Sequence, residues 1–116
     1  MKLSQVRDVL GAKVLCGEEF LDEVVVESAF GADMMSDVLA YVRQHALIIT
    51  GMLNTHVIRT AEMIDIRAVV FVRGKIVTPE IIEAANELDM IILGTDKTMF
   101  TACGLLYEAG LRSCTR

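Results

Sequence analysis

The sequence predicts an α/β fold: a single three-layer-type domain over residues 1–116, with a mainly parallel β-sheet flanked by α-helices. Three observations carry that expectation. Residues 46–65, ALIITGMLNTHVIRTAEMID, read as a strand, a glycine-containing turn and an amphipathic helix. The run Ala46-Leu47-Ile48-Ile49-Thr50 does not alternate apolar with polar, as expected for a strand covered on both faces of a parallel sheet. The strand-then-helix unit then recurs downstream, and short connections between consecutive parallel strands require right-handed crossovers that lay helices against the sheet. Composition is the third observation: 53% of residues are hydrophobic, with one Pro and no Trp, which excludes disorder and forecasts an aliphatic interior.

Taken in order, Leu3, Val6, Val9 and Leu10 fall at helical spacing, with Ser4 as the N-cap and Gly11 as the stop. A short strand follows over 13–16. After the turn Gly17-Glu18-Glu19, Phe20 and Leu21 tuck inward, and Val24-Val25-Val26 begins a second strand running toward Ala29 and Phe30. A helix over 34–44 takes Asp33 or Ser36 as its cap and turns Met34, Val38, Leu39 and Val42 inward. Beyond it the expected elements are strand 46–50, helix 54–65, strand 68–72, helix 79–88, strand 90–93 and helix 98–109. Asn54 caps the first of these helices, whose Val57, Ile58, Ala61 and Ile64 share a face; Thr78 caps the second, with Pro79 in its first turn. Gly74 and Gly94 are expected just past strand ends.

Charge narrows the function classes. Eleven Lys and Arg against sixteen Asp and Glu leave a net charge of −5, and the cations are scattered, so the chain is not expected to bind nucleic acid. It has neither a run long and apolar enough to span a membrane nor a signal-peptide pattern, so no membrane association is expected and the cytoplasm is the default location. The three cysteines, Cys16, Cys103 and Cys114, form no C-x-x-C pair, so neither a disulfide framework nor a zinc site is signalled. Cys16 is expected to be buried and Cys114 exposed. The paired acids Glu18-Glu19 and Asp22-Glu23 read as a solvated rim.

Open α/β sheets place ligands beyond the carboxyl ends of their strands, which makes the turn at Gly51 the natural site. No P-loop or Rossmann fingerprint is present; Arg73-Gly74-Lys75 and Gly94-Thr95-Asp96-Lys97-Thr98 resemble phosphate turns only loosely. In the latter, Thr95, Lys97 and Thr98 precede a helix N-terminus, where amide donors favour an anion. His45 and His56 lack spaced ligand partners, so no metal site is expected, and no Gly-x-Ser-x-Gly or Cys-His signature points to a nucleophile. The candidate ligand contacts are Gly51, Asn54, Thr55, Gly74, Thr95, Lys97 and Thr98. Met52 and Leu53, apolar residues in a turn, together with Met34 and Met35, are the candidate protein-contact residues.

The stretch L-G-A-K-V-L-C-G-E-E-F-L-D-E-V-V-V, then A-L-I-I-T-G, then A-V-V-F-V-R-G-K-I-V-T-P-E-I-I-E-A-A-N-E-L-D-M-I-I-L-G-T-D-K-T-M-F-T-A, resembles the DRTGG domain family. It is also similar to the N-terminal domain of HPr kinase/phosphorylase. Ile49-Thr50-Gly51, Pro79-Glu80 and Thr95 with Thr98 carry the likeness most strongly. The resemblance implies a compact α/β module that dimerises, has a regulatory rather than catalytic role, and is often attached to CBS pairs or phosphotransacetylase domains. The kinase chemistry of the HPr enzymes resides in a P-loop domain that this sequence lacks.

One departure stands out. The namesake pattern puts Asp-Arg-Thr after the strand-ending glycine, whereas this chain has Gly51-Met52-Leu53-Asn54-Thr55, without the carboxylate and the guanidinium. Anion binding is therefore expected to rest on Thr95, Lys97 and Thr98. The function expected first is a non-catalytic, homodimeric regulatory or protein-interaction module without a cofactor. The alternative is a sensor of a nucleotide or other small anion at the carboxyl ends of the strands.

Overall fold

The computed structural model describes residues 1–43 and 45–114. Helix α1 (Leu3–Leu10) leads into β1 (Lys13–Cys16), a 3-10 turn (Glu18–Phe20) and β2 (Ser28–Gly31). Then follow α2 (Met35–Tyr41), β3 (Ala46–Thr50), α3 (Thr55–Met63), β4 (Ala68–Phe71), α4 (Pro79–Glu87), β5 (Ile91–Gly94), α5 (Met99–Glu108) and the two-residue β6 (Arg112–Ser113). From β3 onward each expected element is present, with ends displaced by a residue or two, as helix fraying and end definitions allow.

The six strands lie in the order β1-β5-β4-β3-β2-β6. β2, β3, β4, β5 and β6 are parallel, and β1 closes one edge antiparallel to β5. The sheet is mainly parallel because crossover helices connect β2 through β5. The side chains of β3, β4 and β5 alternate between two apolar layers. Ala46, Ile48, Val69, Phe71 and Ile92 face α2, α3 and α4 through Met35, Val38, Val57, Ile58, Ala61, Ile81 and Ala85. Leu47, Ile49, Val70, Val72, Ile91 and Leu93 face α1 and α5 through Leu3, Val6, Leu10, Ala102 and Leu106. Burial on both sides explains why these strands read as unbroken apolar runs.

The first third departs from the expected elements. The second strand is Ser28–Gly31, not the valine run: Val25 makes only an isolated bridge with Lys2, and Val26 is tied by its N–H to Met1 O at 2.9 Å. Pairing with β3, Ser28 opposite Ala46 and Phe30 opposite Ile48, overrides the higher β-propensity of the valines. Helix α1 begins after Lys2 rather than at Ser4, and the Lys2 N–H donates to Gln5 Oε1 at 3.0 Å.

Helix α2 has no side-chain cap; its N-cap is Met34, because Asp33 is used elsewhere. Its phase is also shifted from the expected one: Met34 and Leu39 are exposed, while Met35, expected as a protein-contact residue, is 4% exposed and lies in the core. Gln44, the expected end of that helix, lies outside the described residues. Cys114 is buried rather than exposed, because β6 pairs with β2 and the Cys114 N–H reaches Ala29 O at 3.4 Å. Gly94 is the last residue of β5 rather than a residue beyond it.

Candidate ligand site at the strand ends

The four central strands run in the same direction, so the segments that follow β2, β3, β4 and β5 gather at one end of the sheet. Thr50, fully buried at the end of β3, donates from its hydroxyl to Asp33 Oδ1 at 3.4 Å and accepts from Met52 N at 3.1 Å. Asp33 Oδ1 also accepts the Gly51 N–H at 2.8 Å. The carboxylate after β2 thus pins the turn after β3. From the other side, Lys75 Nζ donates to Gly51 O at 2.6 Å.

Arg73 completes the enclosure of Gly51. A Cβ at Gly51 would stand 3.2 Å from both Cζ and Nε of Arg73 and would overlap a terminal guanidinium nitrogen, so only glycine lets the guanidinium lie on this backbone. The turn that presents Arg73 holds it in a conformation unfavourable for a residue with a Cβ, φ 66°, and Gly74 follows at φ 61°, which a glycine adopts freely. Two backbone bonds fix it, from Arg73 N to Lys97 O at 2.8 Å and from Gly74 N to Thr95 O at 2.9 Å. A non-glycine residue held in this region is a feature that functional sites accumulate.

Arg73 and Lys75 therefore bring two exposed cations to one glycine. Neither is ion-paired: among the described residues the ion pair is Arg7 with Asp8, at 3.0 Å. The Asp33 carboxylate on the Gly51 N–H offsets part of their mutual repulsion without ion-pairing either cation, and an anion placed between them would offset more of it.

Beyond the turn, a cleft of about 310 Å³ opens between β1 and the segment after β4, lined by Gly11, Lys13, Leu15, Ile76, Val77 and Asp96 together with Gly74, Lys75, Gly94 and Thr95. A second, more apolar cavity of about 290 Å³ lies between β2 and α5, where Cys103 and Tyr107 meet Phe30 and Gly31. Burial raises the pKa of the Cys103 thiol there. Cys16 is raised as well, by burial first and then by the charges of Glu19 and Asp89.

The residues expected to form the site have varied surroundings. Gly51 and Gly74 both border the Arg73–Lys75 turn. Thr95 is 3% exposed; its hydroxyl donates to Leu10 O at 3.0 Å and accepts from Lys97 N at 3.3 Å, so it braces the loop from inside. Asn54 Oδ1 accepts from Val57 N at 3.3 Å, Thr55 Oγ1 from Arg59 Nη2 at 3.2 Å, and Thr98 Oγ1 from Thr101 N at 3.4 Å. These three side chains are engaged within their own helices. Met52 and Leu53 are half-buried and pack on the core, while Met34 is 61% exposed.

Spacing alone did not identify Asp33, Arg73, Lys75 and Asp96 as a group. The available signal was Arg73-Gly74-Lys75 directly after a buried strand. The carboxylate and guanidinium missing after Gly51 are in fact brought to it by Asp33 and Arg73.

Among the described residues no helix is long and apolar enough to cross a membrane, and no group of three or more His, Cys, Asp or Glu is placed to hold a metal ion. A search of curated proteins finds no significant match to this chain. Among solved structures, the chain is similar to the CBS and DRTGG domains of the regulatory region of Clostridium perfringens pyrophosphatase, a structure complexed with its activator, diadenosine tetraphosphate. That match has a TM-score of 0.71 at 20% identity and covers 90% of this chain, which spans 45% of the pyrophosphatase chain. At that identity the likeness is one of fold. The DRTGG domain model matches residues 5–109, nearly the whole chain. On that match, the chain belongs to the DRTGG domain family.

Proposed function

We propose that this chain is a non-catalytic, cytoplasmic regulatory module that acts as a homodimer and takes a nucleotide or other small anion at the carboxyl ends of β3, β4 and β5. The observation that supports this is the convergence of Arg73 and Lys75 on Gly51 without an ion-paired carboxylate. A phosphate bridging the two cations would form charge-assisted bonds of the strong class, and the planar guanidinium can engage two of its oxygens. The diadenosine tetraphosphate bound to the pyrophosphatase regulatory region is a ligand of the same polyanionic kind. The non-catalytic reading rests on the chemistry present. Burial holds the Cys16 and Cys103 thiols toward their protonated, unreactive form, and neither is hydrogen-bonded to a histidine among the described residues. The dimer surface is proposed at the same end of the sheet, where Met34, at the start of α2, and Phe100, in the first turn of α5, are 61% and 89% exposed.

The test is a thermal-shift titration with pyrophosphate, acetyl phosphate and adenine nucleotides, alongside light scattering. A ligand at a hundred times its dissociation constant stabilises the fold by about 2.7 kcal/mol. The expected result is an upward shift in the wild type and none in Arg73→Ala/Lys75→Ala. A wild type unmoved by every one of these ligands overturns the sensor reading, and a protein that stays monomeric at high micromolar concentration overturns the homodimer.

A further inference from the structure

We infer that the ligand is a mononucleoside phosphate, its phosphate on Arg73 and Lys75 and its sugar and base in the cleft between β1 and the segment after β4. This rests on the anion reading above and adds the non-anionic part of the ligand. Lys75 is the link between the two parts: its ammonium holds Gly51 O at 2.6 Å, and the same residue lines the cleft.

Three properties of the cleft select this class. It is two-sided in chemistry, with Leu15, Ile76 and Val77 offering apolar surface and Lys13 and Asp96 offering polar groups. The Asp96 carboxylate disfavours a second phosphate there but accepts hydrogen bonds from sugar hydroxyls or an exocyclic amine. At about 310 Å³ it stands at the small end of ligand cavities, the size range of one base with its sugar. Missing side chains keep its walls close. A Cβ at Gly74 would come within 2.9 Å of Asp96 Oδ1, and one at Gly94 within 3.2 Å of Leu15 Cδ1. Ile76, 87% exposed and lining this cleft, is the apolar contact that an incoming base would cover.

The experiment compares ADP with pyrophosphate by titration calorimetry and by methyl NMR of Leu15 and Val77 in the whole chain. Because Ile76 lies at the surface, Ile76→Ser leaves the fold intact and adds no charge beside Lys75. The expected result is that ADP moves both methyl signals and pyrophosphate does not, while Ile76→Ser weakens ADP by about tenfold and leaves pyrophosphate unchanged. If ADP and pyrophosphate bind alike, with unmoved methyls and an indifferent Ile76→Ser, the nucleoside inference is overturned and the anion reading stands. Binding of ADP that survives in Arg73→Ala/Lys75→Ala, or no binding of either compound, overturns both.

Discussion

The turns that follow β3 and β4 leave neighbouring strands at the same end of the sheet, yet they are built from different materials. After β3 the chain runs through Gly51, Met52 and Leu53, neutral and partly or fully buried, with Met52 and Leu53 packed against the core. After β4 it runs through Arg73, Gly74 and Lys75, exposed and cationic, with successive positive φ values secured by the loop after β5. The first turn contributes shape and the second contributes charge. Their meeting point is a glycine whose missing side chain leaves room for the guanidinium. A strand-end site can therefore keep its charge when the turn that would carry it is neutral, provided the adjacent strand supplies it.

Three substitutions sharpen or break that comparison, in decreasing order of effect on binding. Gly51→Val should affect binding most: its Cβ must push the exposed guanidinium end of Arg73 off the turn, a movement that costs the fold little, and anion affinity should fall to that of Arg73→Ala. Chemical denaturation read beside calorimetry checks both parts; unchanged binding would show that the guanidinium does not need this glycine. Asp33→Ala removes the acceptor of the Gly51 N–H and should cost about 1–2 kcal/mol, with a smaller loss of binding because the cations remain. A gain in anion affinity without loss of stability would mean that Asp33 opposes the site rather than shaping it. Asn54→Ala should cost about 1 kcal/mol through loss of the α3 cap and leave anion binding as it was. Weakened binding at unchanged melting temperature would return Asn54 to the ligand.

The regular part of the fold was legible for a physical reason. Strands buried on both faces must be continuously apolar, and Asn54 and Thr78 mark helix starts with side chains that do cap them. Tertiary choices were harder to read. The valines at 24–26 have the stronger local preference for a strand, but Ser28–Gly31 has the partner, β3. Asp33 is a good cap by type, and Gly51 competes for it successfully. Met34 and Met35 are adjacent and chemically identical, so a helix phase one residue away exchanges core for surface. The site was half legible. The sheet end and Gly51 followed from topology, whereas Arg73 and Gly51 are brought together by a crossover through α3, and no local pattern announces that.

The antiparallel edge strand β1 has a consequence for motion. β3, β4 and β5 each have a hydrogen-bonded neighbour on both sides, while β1 is bonded to β5 alone and its register is already broken between Val14 and Cys16. Local opening costs least where backbone bonds are fewest, so the two edge strands, β1 and the two-residue β6, open before the centre of the sheet, and β1 is one wall of the cleft. An occupant held between Leu15 and Val77 would therefore quieten the edge of the sheet, and its arrival could be passed on as a change in dynamics without any change in the average fold.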